Sequence, residues 1–223
     1  MPETIQLTAA DGHKLACYTS QPSGKPRGGL VIVQEIFGVN RHMRGVAEGY
    51  VADGYSVAMP ALFDRVERGV ELGYGDADIA RGRELRGKIA WEQVLADVAA
   101  AAANLKGAGK LGVVGYCWGG SVTWLAATRL KNFSAAVCYY GGQVATFADE
   151  KPNCAVMMHF GDKDQSIPMS DVEKVRAAQK GAAEIHVYPA GHGFNCEERG
   201  SYHAESAKIA RGRSLAFFRK HIG

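Results

Sequence analysis

Leu111-Gly-Val-Val-Gly-Tyr-Cys-Trp-Gly-Gly120 is the stretch that decides the fold, and Ser121 to Leu130 follows it. Leu111 to Val114 is short and apolar enough for a buried strand. Gly115 to Gly120 predicts a tight turn, and the run from Ser121 to Leu130 predicts a helix. A strand that ends in G-x-Cys-x-G and passes straight into a helix sets Cys117 at a bend where glycines let the two backbones approach. A helix N-terminus beside the sulfur favours its anionic form and offers N–H groups to a developing oxyanion.

Outward from this turn, short apolar runs alternate with helical patterns. Strands are predicted at Gly29–Gln34, Ser56–Met59, Ala135–Tyr139, Ala155–Phe160 and Glu184–Tyr188. Helices are predicted at Met43–Asp53, Trp91–Leu105, Ser170–Gln179 and Tyr202–Arg219, with a loop-rich stretch from Pro60 to Gly75. Thr4–Thr8 and Lys14–Tyr18 read as an opening antiparallel pair about Asp11-Gly12. Such alternation belongs to a mostly parallel twisted sheet with helices on both faces. With the turn at Cys117 it reads as an α/β-hydrolase fold, in one domain spanning residues 1–223.

That fold orders its triad as nucleophile, acid, histidine. Asp162 and Asp164 follow the strand ending at Phe160, and His192 lies between two glycines after the strand ending at Tyr188. A neutral imidazole can take a thiol proton near neutral pH, and an aspartate can hold its tautomer. Asp164 is preferred, because Asp162 beside Gly161 suits a turn cap; the chemistry of the residues alone leaves both open. Ser121, the rival nucleophile, falls within the helix. His159 and His186 lie inside strands and His203 opens the last helix, while His13, His42 and His221 lack a catalytic setting.

Together, QEIFGVN (Gln34–Asn40), GYCWGG (Gly115–Gly120), the D-x-x-x-P loop at Asp164–Pro168 and AGHGF (Ala190–Phe194) resemble the dienelactone hydrolase family over nearly the whole chain. The resemblance implies Cys117, His192 and Asp164 as catalytic residues, the acid standing four before the proline. It implies that Glu35 touches the resting cysteine and takes its proton when substrate binds, with the Ile36 and Trp118 backbone N–H groups as an oxyanion hole. Phe37 and Tyr140 are expected to line the pocket. Family members hold a substrate carboxylate with two arginines, one of them just after the AGH loop. Here Cys196 stands four after His192, which leaves Arg81 or Arg83 for the first contact and Arg199 for the second.

The implied activity is hydrolysis of a small lactone or ester, carboxymethylenebutenolide-like, through a thioester. The rivals are a carboxylesterase or thioesterase acting on uncharged esters, and a non-catalytic binding or thiol-sensing protein. No cofactor or metal is expected, since no ligand spacing of that kind appears. A net charge of +3 with dispersed Lys and Arg gives no footprint for nucleic acid. No apolar run reaches membrane-spanning length, and no export signal precedes the first strand. Five cysteines, Cys17, Cys117, Cys138, Cys154 and Cys196, form an odd set without a C-x-x-C pair, which suits a reducing cytosol. Apart from Cys117 they read as small buried residues. A monomer or weak homodimer is expected.

Overall fold

The computed structural model describes residues 2–223. Its eight strands form one sheet in the order β1 (Glu3–Thr8), β2 (Lys14–Ser20), β4 (Ser56–Pro60), β3 (Gly29–Val33), β5 (Leu111–Tyr116), β6 (Ala135–Tyr139), β7 (Ala155–Gly161) and β8 (Ala183–Tyr188). β1 and β2 are antiparallel, β2 meets β4 antiparallel, and every pair from β4 to β8 is parallel. β3, β4, β5 and β6 are buried along their whole length, as parallel strands covered on both faces must be.

Among the described residues six α-helices flank the strands: α1 (Arg41–Ala52), α2 (Asp76–Gly87), α3 (Trp91–Asn104), α4 (Trp118–Arg129), α5 (Met169–Ala178) and α6 (Ala204–His221). Two glycines of β5 show that helices cover both faces. Gly112 packs on Phe218 and Ile222 at the end of α6, whereas Gly115, an odd number of residues on, packs on Gly119 and Thr123 of α4.

The expected elements are present with small shifts at their ends. α4 starts directly after Cys117 rather than at Ser121, so the turn is tighter than its glycine content suggests. α1 starts two residues earlier than expected because Asn40 caps it, its side chain accepting from the Met43 amide at 3.1 Å. α2 was not legible as a helix. Its sequence DADIARGRELRG is charge-dense, and only Gly82 and Leu85 are buried.

His159, in the middle of β7, is fully buried. Its ring bonds the Tyr188 hydroxyl at 2.8 Å and the Ser214 hydroxyl at 3.0 Å, and Ser214 in turn meets the Tyr139 hydroxyl at 2.7 Å. Burial, with the nearby His186 and Arg213 charges, holds its pKa well below the ordinary histidine value. The unfolded chain therefore takes up a proton below about pH 6.5 that the folded chain refuses, so this group's contribution to stability falls as pH falls. Urea denaturation between pH 7.5 and 4.5 is expected to lose stability at up to about 1.4 kcal/mol per pH unit from this one group. His159→Gln is expected to show a slope shallower by one proton; an unchanged slope would remove His159 as its source.

Candidate active site

The site forms where the C-terminal ends of β3, β5, β7 and β8 run into loops. Cys117 has φ +56° and ψ −119°, a conformation that only a forced turn gives a residue with a side chain. The force comes from close approach. A Cβ on Gly115 would sit 2.1 Å from the Gly119 carbonyl oxygen, and one on Gly119 would sit 2.4 Å from that of Val33. With no side chains between them, strand and helix meet at the bend and the sulfur is pushed out of the core.

His192 reaches that sulfur from the loop after β8. Its Nε2 lies 3.2 Å from Cys117 Sγ and its Nδ1 lies 2.7 Å from Asp164 Oδ2. The ring packs edge-on against Tyr140, and the Ser201 hydroxyl donates to the His192 carbonyl. Asp164 is buried and its other oxygen, Oδ1, accepts from the amides of Ser166 at 2.8 Å and Ile167 at 3.1 Å. Asp162 is exposed at the start of the same loop, so the geometry selects Asp164. Burial opposes charging of His192, but the adjoining sulfur, as thiolate, and the Asp164 carboxylate outweigh it and raise its pKa to about 10.

Two amides face the same region. Trp118 opens α4, so its N–H has no acceptor within the helix, and among the described residues the Ile36 N–H donates to no protein acceptor. The Trp118 ring stacks on Phe63 with centroids 5.6 Å apart. Gly82 of α2 abuts the Ile36 carbonyl, where a Cβ would come within 2.0 Å, and this contact clamps α2 against the loop that carries Glu35 to Phe37.

A cavity of about 230 Å³ opens over the sulfur. Ile36, Phe37, Cys117, Trp118 and His192 line it, and so do three arginines, Arg83, Arg86 and Arg199. Tyr140 and Arg81 are corrections to the sequence reading. Tyr140 is fully buried behind His192 and does not line the cavity, and Arg81 points to the surface, paired with Glu67 and, at 2.8 Å, with Glu84. Sequence reasoning missed Arg86. Ile79, Arg83 and Arg86 share one face of α2 at spacings of four and three, a signal that needed the helix to be recognised first.

Glu35 also departs from expectation. It is fully buried, yet it makes no hydrogen bond to Cys117, whose sulfur is bonded to His192. Instead the Tyr74 hydroxyl donates to Glu35 Oε2 at 3.1 Å, and Arg199 Nη1 lies 3.7 Å from Oε1. The Arg199 guanidinium also sits 5.7 Å above the Phe37 ring. The Ser121 hydroxyl accepts from the Gln143 amide inside α4, which is a structural duty.

A strained bend carrying a sulfur, at the end of a parallel strand and within reach of an imidazole held by a carboxylate, defines an α/β-hydrolase. The family model of the dienelactone hydrolase family matches residues 15–222. The chain belongs to that family, and it is a hydrolase. Among its relatives, an Escherichia coli K12 protein named "Putative carboxymethylenebutenolidase" is 35% identical over 96% of this chain and 85% of its own. A Yersinia pestis protein of the same name is 36% identical over 95% of this chain and 86% of its own. A crystal structure described as a "Putative Dienelactone Hydrolase" from Klebsiella pneumoniae superposes with a TM-score of 0.85 at 34% identity, covering 98% of this chain and all of that one. Among the described residues no helix is long and apolar enough to cross a membrane.

Proposed function

We propose that the protein hydrolyses a small lactone or ester that carries a carboxylate, through a thioester on Cys117. The observation that supports this most is the sulfur–imidazole–carboxylate chain at the floor of a cavity rimmed by three arginines. A cavity of about 230 Å³ suits a small lactone better than a long acyl chain.

In the first half-reaction the Cys117 thiolate attacks the carbonyl carbon, and the π-electron pair moves onto the carbonyl oxygen, which the Ile36 and Trp118 amides stabilise. The pair returns to reform the carbonyl as the C–O bond to the leaving oxygen breaks. His192 gives that oxygen its proton. What remains is a thioester on Cys117 and the released alcohol or enol, still tethered if the substrate was a lactone. In the second half-reaction His192, now neutral, takes a proton from water as it attacks the thioester, and collapse restores the thiolate and yields the acid. A leaving group that departs as an enolate suits a thiolate nucleophile. In this reading Glu35 acts through Arg199, holding the guanidinium at the cavity wall against Phe37.

Arg83, Arg86 and Arg199 would hold the substrate carboxylate. Arg83→Ala with Arg86→Ala is expected to raise KM for an anionic enol-lactone by about 10-fold or more, since a charged hydrogen bond contributes about 1.5–3 kcal/mol. With p-nitrophenyl acetate, which has no carboxylate, KM is expected to stay within about 2-fold. Equal losses on the two substrates, or a wild-type preference for neutral esters, would turn the assignment to a same-fold carboxylesterase.

A further inference from the structure

Beside the catalytic sulfur, and separate from it, lies a second group of soft and hard ligand atoms. Glu35, His42 and Cys196 each offer one donor atom, all within 4.8 Å of one another. Glu35 and His42 lie at the two ends of the loop that leads from β3 into α1, and Cys196 comes from the distant loop before α6. Glu35 and Cys196 are fully buried, and Glu35 Oε1 accepts no hydrogen bond although the atom is cut off from solvent. A metal ion at bonding distance would satisfy that oxygen directly. Arg199 Nη1, 3.7 Å from Oε1, is its ion-pair neighbour but lies outside hydrogen-bond distance, so a bonding position on that oxygen stays open.

Of the three, His42 alone borders an open groove, while Glu35 and Cys196 are buried away from solvent. That groove, of about 610 Å³, lies between α1 and α6, and Cys117, His192 and the three arginines of the substrate cavity do not border on it. Glu197 and Glu198, next to Cys196, lie on the rim of the same groove together with Arg41, Lys208 and Arg211, and Glu198 pairs with Arg41 at 2.9 Å, so the groove wall carries both signs of charge.

We propose that Glu35, His42 and Cys196 form a binding site for a thiophilic divalent cation of the Zn²⁺ class, reached from the α1–α6 groove. One thiolate, one imidazole and one carboxylate make a three-ligand set that such an ion accepts, with a fourth position open to water. Metal–ligand bonds of about 2.0–2.3 Å place tetrahedral donors about 3.5 Å apart, so side-chain movement of about an ångström closes the set. On binding, the Cys196 thiol releases its proton to solvent, the sulfur lone pair forms the S–metal bond, and a ring nitrogen of His42 and the Glu35 carboxylate complete the site. The thiolate and carboxylate charges cancel that of the ion.

The test uses Co²⁺ alone on the full chain carrying Cys117→Ser, so that the catalytic sulfur cannot contribute and hydrolysis is not the readout. One Co²⁺ per chain is expected, with a thiolate-to-cobalt charge-transfer band in the near ultraviolet that added Zn²⁺ abolishes. Adding Cys196→Ser is expected to remove the band, and His42→Ala, at a half-buried position that tolerates truncation, to weaken binding about 10-fold or more. Cys154→Ser is expected to change neither. Absence of the band in the Cys117→Ser protein, its persistence without Cys196, or full affinity without His42 would overturn the site. Because no arm depends on turnover, a failure here leaves the proposed hydrolysis standing, and a failure of that reading leaves the cation site standing.

Discussion

Cys117→Ala is expected to lose hydrolysis of an enol-lactone by a factor on the order of 10⁴ or more in kcat, with no loss of fold. The alanine keeps the bend, because what imposes φ +56° is the approach of Gly115 and Gly119 to the neighbouring backbone, not the sulfur. It removes the atom to which His192 Nε2 is bonded at 3.2 Å. Two further measurements separate this from a packing defect. The His192 pKa is expected to fall from its raised value in Cys117→Ala, because the sulfur charge is the strongest of the influences that raise it, and an NMR titration of the ring reads this directly. Cys117→Gly is expected to be equally inactive yet more stable than wild type, by about 1 kcal/mol or a Tm gain of about 2–4 °C, since glycine adopts a positive φ without strain. Retention of full activity by the alanine variant would remove Cys117 as the nucleophile. A less stable glycine variant would show that the bend holds no strain at this residue.

Such a trade between strain and reactivity explains why the centre of the site was legible in the sequence. The bend needs glycines at Gly115 and Gly119 because backbone meets backbone there, and it needs a strand before and a helix after, each with its own hydrophobic period. Those local demands leave a pattern in consecutive residues. Asp164 and His192 were legible for a related reason, since each sits in a short loop just beyond a parallel strand. The periphery was not. Arg86 belongs to a helix whose buried side consists of little more than Gly82 and Leu85, so the apolar period that would announce it is missing. The partners of Glu35, namely His42, Tyr74, and Cys196 with Arg199, come from three separate segments, and only the fold brings them together. Cys196 read as a small buried residue, and buried it is; nothing local to it in the chain reveals that a carboxylate and an imidazole lie beside it.

Asp164→Asn is expected to lower kcat by a factor on the order of 10³ or more while leaving KM within about 3-fold, because the substitution changes a tautomer rather than a shape. The two oxygens of Asp164 have distinct duties. Oδ1 accepts from the Ser166 and Ile167 amides, whereas Oδ2 faces His192 Nδ1 at 2.7 Å. An asparagine must keep its carbonyl oxygen where those two amides donate, so its NH₂ takes the place of Oδ2. A donor there obliges His192 Nδ1 to accept and moves the ring proton to Nε2, facing Cys117. The imidazole can then neither take the thiol proton nor remain as an imidazolium beside a carboxylate. The shift is expected in the ring ¹⁵N resonances of His192, which a merely loosened loop would not move to the opposite tautomer. Asp162→Asn, on an exposed side chain two residues earlier, is expected to leave kcat within about 2-fold. If Asp162→Asn were the damaging change and Asp164→Asn the silent one, the orienting role would pass to the other carboxylate and the 2.7 Å contact would have no part in turnover.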